Sequence, residues 1–167
     1  ADSEEIEIPQ TIGGYRVTAI GDEAFAYLTK LKGIKIPDTV NSIGSNAFYY
    51  CKALKNVTMS KNTVSIGNRA FYQCYALTTL DLPNSVRSIG DYAFAHSYIY
   101  RITIPEGVTE IGDYAFNGCL SLETLEILGN AKIKKERTVC DSPFFVLYFV
   151  SSFLYSIFNI YSLNNSH

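Results

Sequence analysis

The sequence predicts a repeat solenoid, a chain wound into stacked coils that contain short parallel strands and little regular helix. Three observations predict it. An Ile-Gly pair begins at residues 20, 43, 66, 89 and 111, with spacings of 23, 23, 23 and 22 residues. An Ala-Phe pair follows each Ile-Gly pair at the same distance. A segment that alternates apolar and polar residues comes next in each copy, and a fixed short period of this kind is typical of a solenoid.

The repeats occupy most of the chain. They run from about Ile6 to about Ile127 and fade by Ile133. The stretch "IEIPQTIGGYRVTAIG", which begins at Ile6, supplies the strand half of one further unit. We therefore expect residues 1–133 to form a solenoid of five repeats plus an N-terminal half repeat. Residues 134–167 are expected to be a separate, non-repeat hydrophobic tail.

Each predicted strand is buried on one side. In the third copy, Leu80 and Leu82 lie on one side of the strand, and Thr79 and Asp81 lie on the other. Pro83 ends the strand because proline has no N–H group to donate to a ladder. Stacked coils about 4.8 Å apart would join these strands into a parallel sheet. The predicted strands are Leu31–Pro37, Leu54–Ser60, Leu77–Pro83, Ile99–Pro105 and Leu122–Leu128.

The other half of each unit, Val-x-x-Ile-Gly-x-x-Ala-Phe, carries the chain back around the solenoid. In the third copy, Val86, Ile89, Ala93 and Phe94 are expected to point inward, and Gly90 to permit a turn that a Cβ would hinder. Burial of each Phe ring stabilises the fold by about 1.5–3 kcal/mol. The stacked coils predict an internal ladder of Phe25, Phe48, Phe71, Phe94 and Phe116.

Three cysteines occupy one repeat position, three residues after the Phe. Leu and Ser fill the same position in the other copies, which indicates a small packing site rather than a reactive thiol. A zinc site would need closely spaced Cys and His ligands, but the chain has only two His, His96 and His167, and no close Cys pair. The residues at this position are Leu28, Cys51, Cys74, Ser97 and Cys119.

A disulfide between Cys51 and Cys74 is geometrically conceivable, because residues one coil apart have Cα atoms about 4.8 Å apart. Both side chains, however, are expected to point into a packed column. We therefore predict free thiols. Nothing in the sequence distinguishes one of the three equivalent thiols as a catalytic nucleophile.

The composition excludes some classes of protein. Apolar residues make up 47% of the chain and charged residues 18%, which is enough for a packed core. A net charge of −2 provides no basic field for nucleic acid. The chain begins "ADSEEIEIPQ", without Met or a charged-then-apolar leader, as expected for a protein whose signal peptide has been removed or for a fragment.

Two stretches carry a resemblance to a known family. The segments "VRSIGDYAFAHS" and "LTTLDLPNSVRSIG" resemble the BspA-like class of leucine-rich repeats, whose unit reads approximately Cys-x-x-Leu-x-x-Ile-x-Ile-Pro-x-x-Val-x-x-Ile-Gly-x-x-Ala-Phe. The resemblance implies a right-handed leucine-rich-repeat solenoid of the α/β horseshoe class, without catalytic activity, cofactor or metal. It also implies secretion or display on a cell surface, and attachment to host or neighbouring-cell proteins or glycoproteins.

The outward side of the predicted strands is the candidate partner-binding face. Lysines gather in its first coils and glutamates in its last, and Tyr100 and Arg101 near the centre are residue types favoured in interface hot spots. A solvated sheet face without a partner is the competing interpretation. The residues of the candidate face are Lys32, Lys35, Lys55, Thr58, Asp81, Tyr100, Arg101, Thr103, Glu123 and Glu126.

The tail contains a stretch without charged residues, residues 144–163, which is long enough to span a bilayer. A membrane anchor is one interpretation, although lysines on the repeat side would then favour cytoplasmic repeats. A cap over the last coil is the second interpretation, since a solenoid end otherwise exposes its core. An aberrant end of the reading frame is the third.

Function follows from these expectations. The leading hypothesis is a non-enzymatic module for protein binding and adhesion that acts through its sheet face at a cell surface or outside the cell. The alternative is a structural spacer, or a fragment of a longer array, with no partner of its own. An enzyme would need a nucleophile, a base and an orienting group in one place, and His96 is the only histidine within the repeats.

Overall fold

The computed structural model describes residues 4–133 and the backbone of residues 146–149. The described part is a solenoid of about five turns that contains short strands and turns but no helix. The predicted fold class is therefore confirmed. In chain order, its strands are β1 (Glu5–Glu7), β2 (Thr11–Ile12), β3 (Tyr15–Arg16), β4 (Ala19–Ile20), β5 (Gly33–Lys35), β6 (Ser42–Ile43), β7 (Asn56–Thr58), β8 (Ser65–Ile66), β9 (Ser88–Ile89), β10 (Arg101–Ile104), β11 (Glu110–Ile111), β12 (Thr124–Ile127), β13 (Lys132–Ile133) and β14 (Val146–Phe149).

The predicted strands form one side of the solenoid, which we call the strand face. It consists of two three-stranded parallel sheets, β1-β5-β7 and β10-β12-β14. The segment between these two sheets, Leu77–Pro83, was predicted to be a strand, and this prediction is wrong. The segment makes only one isolated bridge, from Thr79 to Arg101. Leu80 and Leu82 still lie on the predicted inward side, since Leu80 is buried and Leu82 half-buried.

A second sheet, which the repeat pattern did not indicate, runs along another side. Its six parallel strands, β4, β6, β8, β9, β11 and β13, are two residues long and follow one another without a break. Each strand except β13 ends at the Ile of an Ile-Gly pair, and from the second pair onward the glycine N–H donates to the preceding coil, as from Gly67 to the Ile43 carbonyl at 2.8 Å. This sheet therefore joins all the coils, including the third.

The third side, which we call the turn side, contains the segment from each Gly to the residues after each Phe. Alternate amides of this segment donate to the next coil. One row of such bonds joins the Phe48 N–H to the Ala70 carbonyl at 2.8 Å and the Phe71 N–H to the Ala93 carbonyl at 2.7 Å. The intervening amides bond within their own coil, as Ala70 does to the Gly67 carbonyl. The turn side is thus hydrogen-bonded from coil to coil without regular strands.

The core confirms the predicted aromatic ladder. The five rings stack with centroid separations of 5.3, 5.0, 5.7 and 5.4 Å and nearly parallel planes. All are fully buried except Phe25 in the first coil, which is half-buried. Val86, Ile89, Ala93 and Phe94 point inward as predicted. Phe48, Phe71 and Phe94 therefore each pack between the rings of the two adjacent coils.

The repeat glycine has a different role from the expected one. Gly90 has no positive φ, so it does not serve a left-handed turn. The left-handed residues are bulky ones, such as Tyr92 with φ 56° and His96 with φ 57°. A Cβ at Gly67 would lie 2.6 Å from the carbonyl carbon of Gly44 and 2.7 Å from the amide nitrogen of Ser45. Glycine is needed because adjacent coils come too close there for a side chain.

The cysteine column is buried and its thiols are free, as predicted for Cys51, Cys74 and Cys119. Each thiol donates to the carbonyl of the Phe one coil earlier, for example from Cys74 to Phe48 at 3.2 Å. In the fourth coil the Ser97 hydroxyl fills the same position and donates to the Phe94 carbonyl at 2.6 Å. Burial raises the pKa of the Cys51 thiol to about 11. Burial, hydrogen bonding to a backbone carbonyl and a raised thiol pKa are typical of packing residues rather than of nucleophiles.

The first coil is completed by the N-terminal half repeat. As expected, the strand from Ile6 joins the array, because β1 pairs in parallel with β5. A hairpin of β2 and β3 follows, and its two-residue turn is Gly13-Gly14. Both glycines have positive φ, 58° and 83°, as a tight hairpin turn requires.

Only a short part of the predicted tail is described. The backbone of β14 pairs in parallel with β12, with Thr124 beside Val146. Within the described residues there is no helix of the length and apolarity that a bilayer span requires. The remainder of 134–167, including most of the candidate anchor 144–163, lies outside the described residues.

The close approach of adjacent coils predicts unequal effects of two glycine substitutions. Gly67→Ala should lower the free energy of unfolding by about 1–3 kcal/mol, because the new Cβ would displace the backbone of the preceding coil. Gly21→Ala is the matched control, since no atom lies within 4 Å of a Cβ there, and its effect should stay below about 1 kcal/mol. Urea unfolding measures both; equal losses would contradict the proposed role of the glycine.

The raised thiol pKa predicts a pH dependence above pH 9. There the unfolded chain loses the Cys51 proton, while the folded chain keeps it up to about pH 11. The free energy of unfolding should therefore fall as pH rises from 9 to 11. The fourth cysteine of the chain, Cys140, lies outside the described residues and is replaced by serine in both proteins compared. The Cys51→Ser/Cys140→Ser variant should lose less stability over this range than Cys140→Ser alone, in urea unfolding series at each pH. Identical slopes would show that the thiol does not contribute.

Candidate functional site

The structure places every residue of the candidate face on the strand face, and each of them is exposed or half-buried. Tyr100, for example, is 44% exposed. Gly33, at another outward strand position, is instead buried beneath the Glu5 side chain.

The lysines at the N-terminal end of the face are already paired. Lys32 forms an ion pair with Glu4, and Lys35 with Glu7, both at 2.8 Å. The hydrogen bond from Lys35 to Glu7 raises the lysine pKa. The expected gradient of charge along the face, from lysines to glutamates, is therefore wrong at this end. Glu4 and Glu7 of the N-terminal half repeat lie beside the lysines of the first full coil.

The C-terminal end of the face is also partly bonded within itself. The Thr103 hydroxyl donates to the Glu126 carboxylate at 3.2 Å, and both residues are half-buried. These side chains belong to β10 and β12, which pair in register. A partner at this end would have to replace an existing bond.

The centre of the face is different. Among residues 4–133, the side chains of Lys55, Asp81 and Arg101 form no ion pair or hydrogen bond with one another or with other residues. They surround the break in the strand face at 77–83, beside exposed Tyr100. A partner could contact the central group of Lys55, Asp81, Tyr100 and Arg101 without replacing an existing ion pair or side-chain hydrogen bond among the described residues.

Sequence reasoning missed a second surface, on the turn side. Tyrosines lie there in rows, because Tyr49 and Tyr72 stack at 5.2 Å and Tyr92 and Tyr114 at 4.9 Å. The signal was present in the repeats, since each pair occupies equivalent positions in consecutive copies. That Tyr49 and Tyr72 border a groove together with Glu23, Asn46 and Arg69 is visible only in the folded coil.

His96 lies at the edge of this surface, edge-on to Tyr72 at 5.4 Å between ring centroids. The described residues contain no group of three His, Cys, Asp or Glu side chains arranged to hold a metal ion. The arrangement offers aromatic faces and scattered charges, which suit recognition of a partner.

Comparison with known proteins places the chain in a family. A family profile described as BspA type leucine rich repeat region matches six copies over residues 18–140. A comparison with curated proteins found no match.

Solved structures of bacterial leucine-rich repeat proteins share the fold. A leucine-rich repeat protein from Bacteroides ovatus is 29% identical, with a TM-score of 0.67, and the match covers 87% of this chain and 47% of that protein. The chain thus spans about half the length of that relative. A leucine rich repeat protein of T. pallidum is 23% identical, with a TM-score of 0.74, and the match covers 89% of this chain and 74% of that one.

The repeat profile, the parallel coils and the two similar structures agree with one another. Leucine-rich repeat proteins of this kind are generally non-enzymatic and generally mediate protein interactions. The chain belongs to the BspA type of leucine-rich repeat proteins.

Proposed function

We propose that this protein is a non-enzymatic adhesion module that binds a protein partner through the centre of its strand face. The observation that carries the proposal is the exposed pair Tyr100 and Arg101, which has no bonded side-chain partner among residues 4–133. Tyrosine and arginine are enriched in interface hot spots because each combines a large contact area with hydrogen bonding.

The neighbouring charges support this position. Lys55 lies two coils before Arg101, and Asp81 lies one coil before Thr103, so charges of both signs lie on the same face as Tyr100. A mixed pattern of this kind favours a partner with complementary charges of both signs rather than a polyanion. The paired lysines, Lys32 and Lys35, contribute less, since a partner would first have to separate them from Glu4 and Glu7.

The rigidity of the scaffold supports the same function. The face is held by a core of stacked Phe rings and by hydrogen bonds on the two other sides of every coil. A preorganised surface binds with a smaller loss of conformational entropy.

A location outside the cell or on its surface is part of the proposal and rests on the family resemblance.

Binding of the full chain to a panel of extracellular-matrix and cell-surface proteins, freed of their glycans, tests the proposal. A variant with Lys55, Asp81, Tyr100 and Arg101 changed to alanine should bind at least about 10-fold more weakly, since hot-spot side chains contribute 2 kcal/mol or more each. Lys35→Ala should change the dissociation constant less than about 3-fold, because exposed ion pairs contribute little.

The matched control changes three exposed residues in or directly before strands of the second sheet, Asn41, Val64 and Lys132, to alanine and should bind normally. Circular dichroism and thermal unfolding verify that all variants are folded. Undiminished binding by the four-residue variant would reject the strand face as the site. No binding by the parent chain across the panel would favour the structural spacer.

A further inference from the structure

The corner between the turn side and the strand face is one residue shorter in the fourth coil than in the other coils. In the third coil, two residues separate the buried Cys74 from the buried Leu77. In the fourth coil, Tyr98 alone separates the buried Ser97 from the buried Ile99. This corner is therefore where the repeat of 22 residues lacks a residue that the repeats of 23 contain.

The shortened corner determines where the Tyr98 side chain lies. Because the side chains of Ser97 and Ile99 are both fully buried, that of Tyr98 lies outside the core and is 49% exposed. Tyr100, on the other side of Ile99, is 44% exposed. Two residues of chain span at most about 7 Å, whereas the three residues between the same positions of another coil span up to about 11 Å. The missing residue thus keeps two exposed tyrosines near each other.

The fifth coil adds a third exposed apolar side chain. Leu120 occupies the position equivalent to Tyr98 one coil later and is 67% exposed. The two coils approach closely here, since the Glu123 N–H donates to the Tyr100 carbonyl at 2.8 Å. We call Tyr98, Tyr100 and Leu120 the corner patch.

The repeat itself does not require apolar residues at the corner. The first two coils carry Thr29 and Lys52 at the position of Tyr98 and Leu120, and both of these polar residues are exposed. Packing of the core therefore does not account for the apolar side chains of the later coils. Large apolar side chains that are grouped on a surface are typical of interaction sites, because a partner removes their area from water.

The Tyr98 ring is supported from one side. Tyr75 in the preceding coil meets it edge-on, with 5.8 Å between ring centroids and 60° between ring planes. Tyr75 in turn contacts Tyr50 edge-on at 6.3 Å, and both of these supporting rings are half-buried. A side chain that is already held in place loses less conformational entropy when a partner covers it.

The charged side chains beside the patch indicate what the partner carries. Arg101 follows Tyr100 directly in the chain, and Glu123 lies one coil beyond Tyr100. Both charged residues are exposed. A complementary partner places an aromatic or aliphatic side chain on the patch, an acidic group opposite Arg101 and a basic group opposite Glu123.

We propose that the corner patch is the apolar anchor site of the strand face, against which the protein partner packs an aromatic or aliphatic side chain that lies between an acidic and a basic residue. The inference rests on the adhesion function proposed above and extends its site around the corner by Tyr98 and Leu120. It also gives the residue missing from the fourth repeat a role, since the short corner holds Tyr98 near Tyr100.

The test uses the full chain and the glycan-free panel proteins that it binds, with dissociation constants measured by isothermal titration calorimetry. Tyr98→Ala/Leu120→Ala should weaken binding at least about 10-fold, because both apolar anchors are removed. Insertion of one alanine between Tyr98 and Ile99 restores the corner length of the other coils and keeps every side chain of the patch. This variant should bind at least about 3-fold more weakly, because the two tyrosines move apart.

Tyr15→Ala is the matched control, since it removes a tyrosine that is 82% exposed but belongs to the N-terminal hairpin. It should bind normally, and circular dichroism and thermal unfolding verify that every variant is folded. Equal loss of binding in this control would contradict a specific role for the patch.

The remaining outcomes separate this inference from the function on which it rests. Full binding by Tyr98→Ala/Leu120→Ala, together with loss of binding in the four-residue variant, would reject the corner patch and leave the proposed function intact. Full binding by the insertion variant would reject the role of the short corner. No binding by the parent chain to any panel protein would reject both the proposed function and the patch.

Discussion

The structure depends on the distance between adjacent coils, which must be short enough for backbone hydrogen bonds on the turn side and in the second sheet. The turn side meets this condition through bonds such as Phe71 to Ala93 at 2.7 Å, and the second sheet through bonds such as Gly90 to Ile66 at 2.9 Å. That spacing requires glycine where backbones approach most closely. It also stacks equivalent residues directly over one another, so one repeat position becomes a row of similar side chains. The core ladder, the cysteine column and the tyrosine rows are all consequences.

Much of this could be predicted from the sequence, because burial imposes the period on which the repeat is recognised. Phe71, Val86 and Cys74 recur in register and are buried as expected. The missing strand at Leu77–Pro83 could not be predicted, since alternation reports which side is buried but not whether the neighbouring backbone is close enough to pair. The ion pairs that Glu4 and Glu7 form were not predicted either, because the N-terminal half repeat lacks the motif by which the other copies are recognised.

The candidate sites differ in how far the sequence reveals them. Strand positions that point outward can be read from period-2 alternation, so the residues of the strand face were found, although their bonding was not. The groove between the Asn46 and Tyr49 rows depends on two different repeat positions, which become neighbours only after folding.

Backbone hydrogen exchange tests most directly the claim that the turn side and the second sheet, rather than the strand face, hold the coils together. The amides of Phe48 and Phe71 donate to the next coil and should exchange only on global unfolding. The amides of Thr79 and Asp81 lie on the unpaired side of the break and should exchange at least about 100-fold faster, through local opening. Equal protection of all four amides would contradict this account, because it would require a continuous sheet across the third coil.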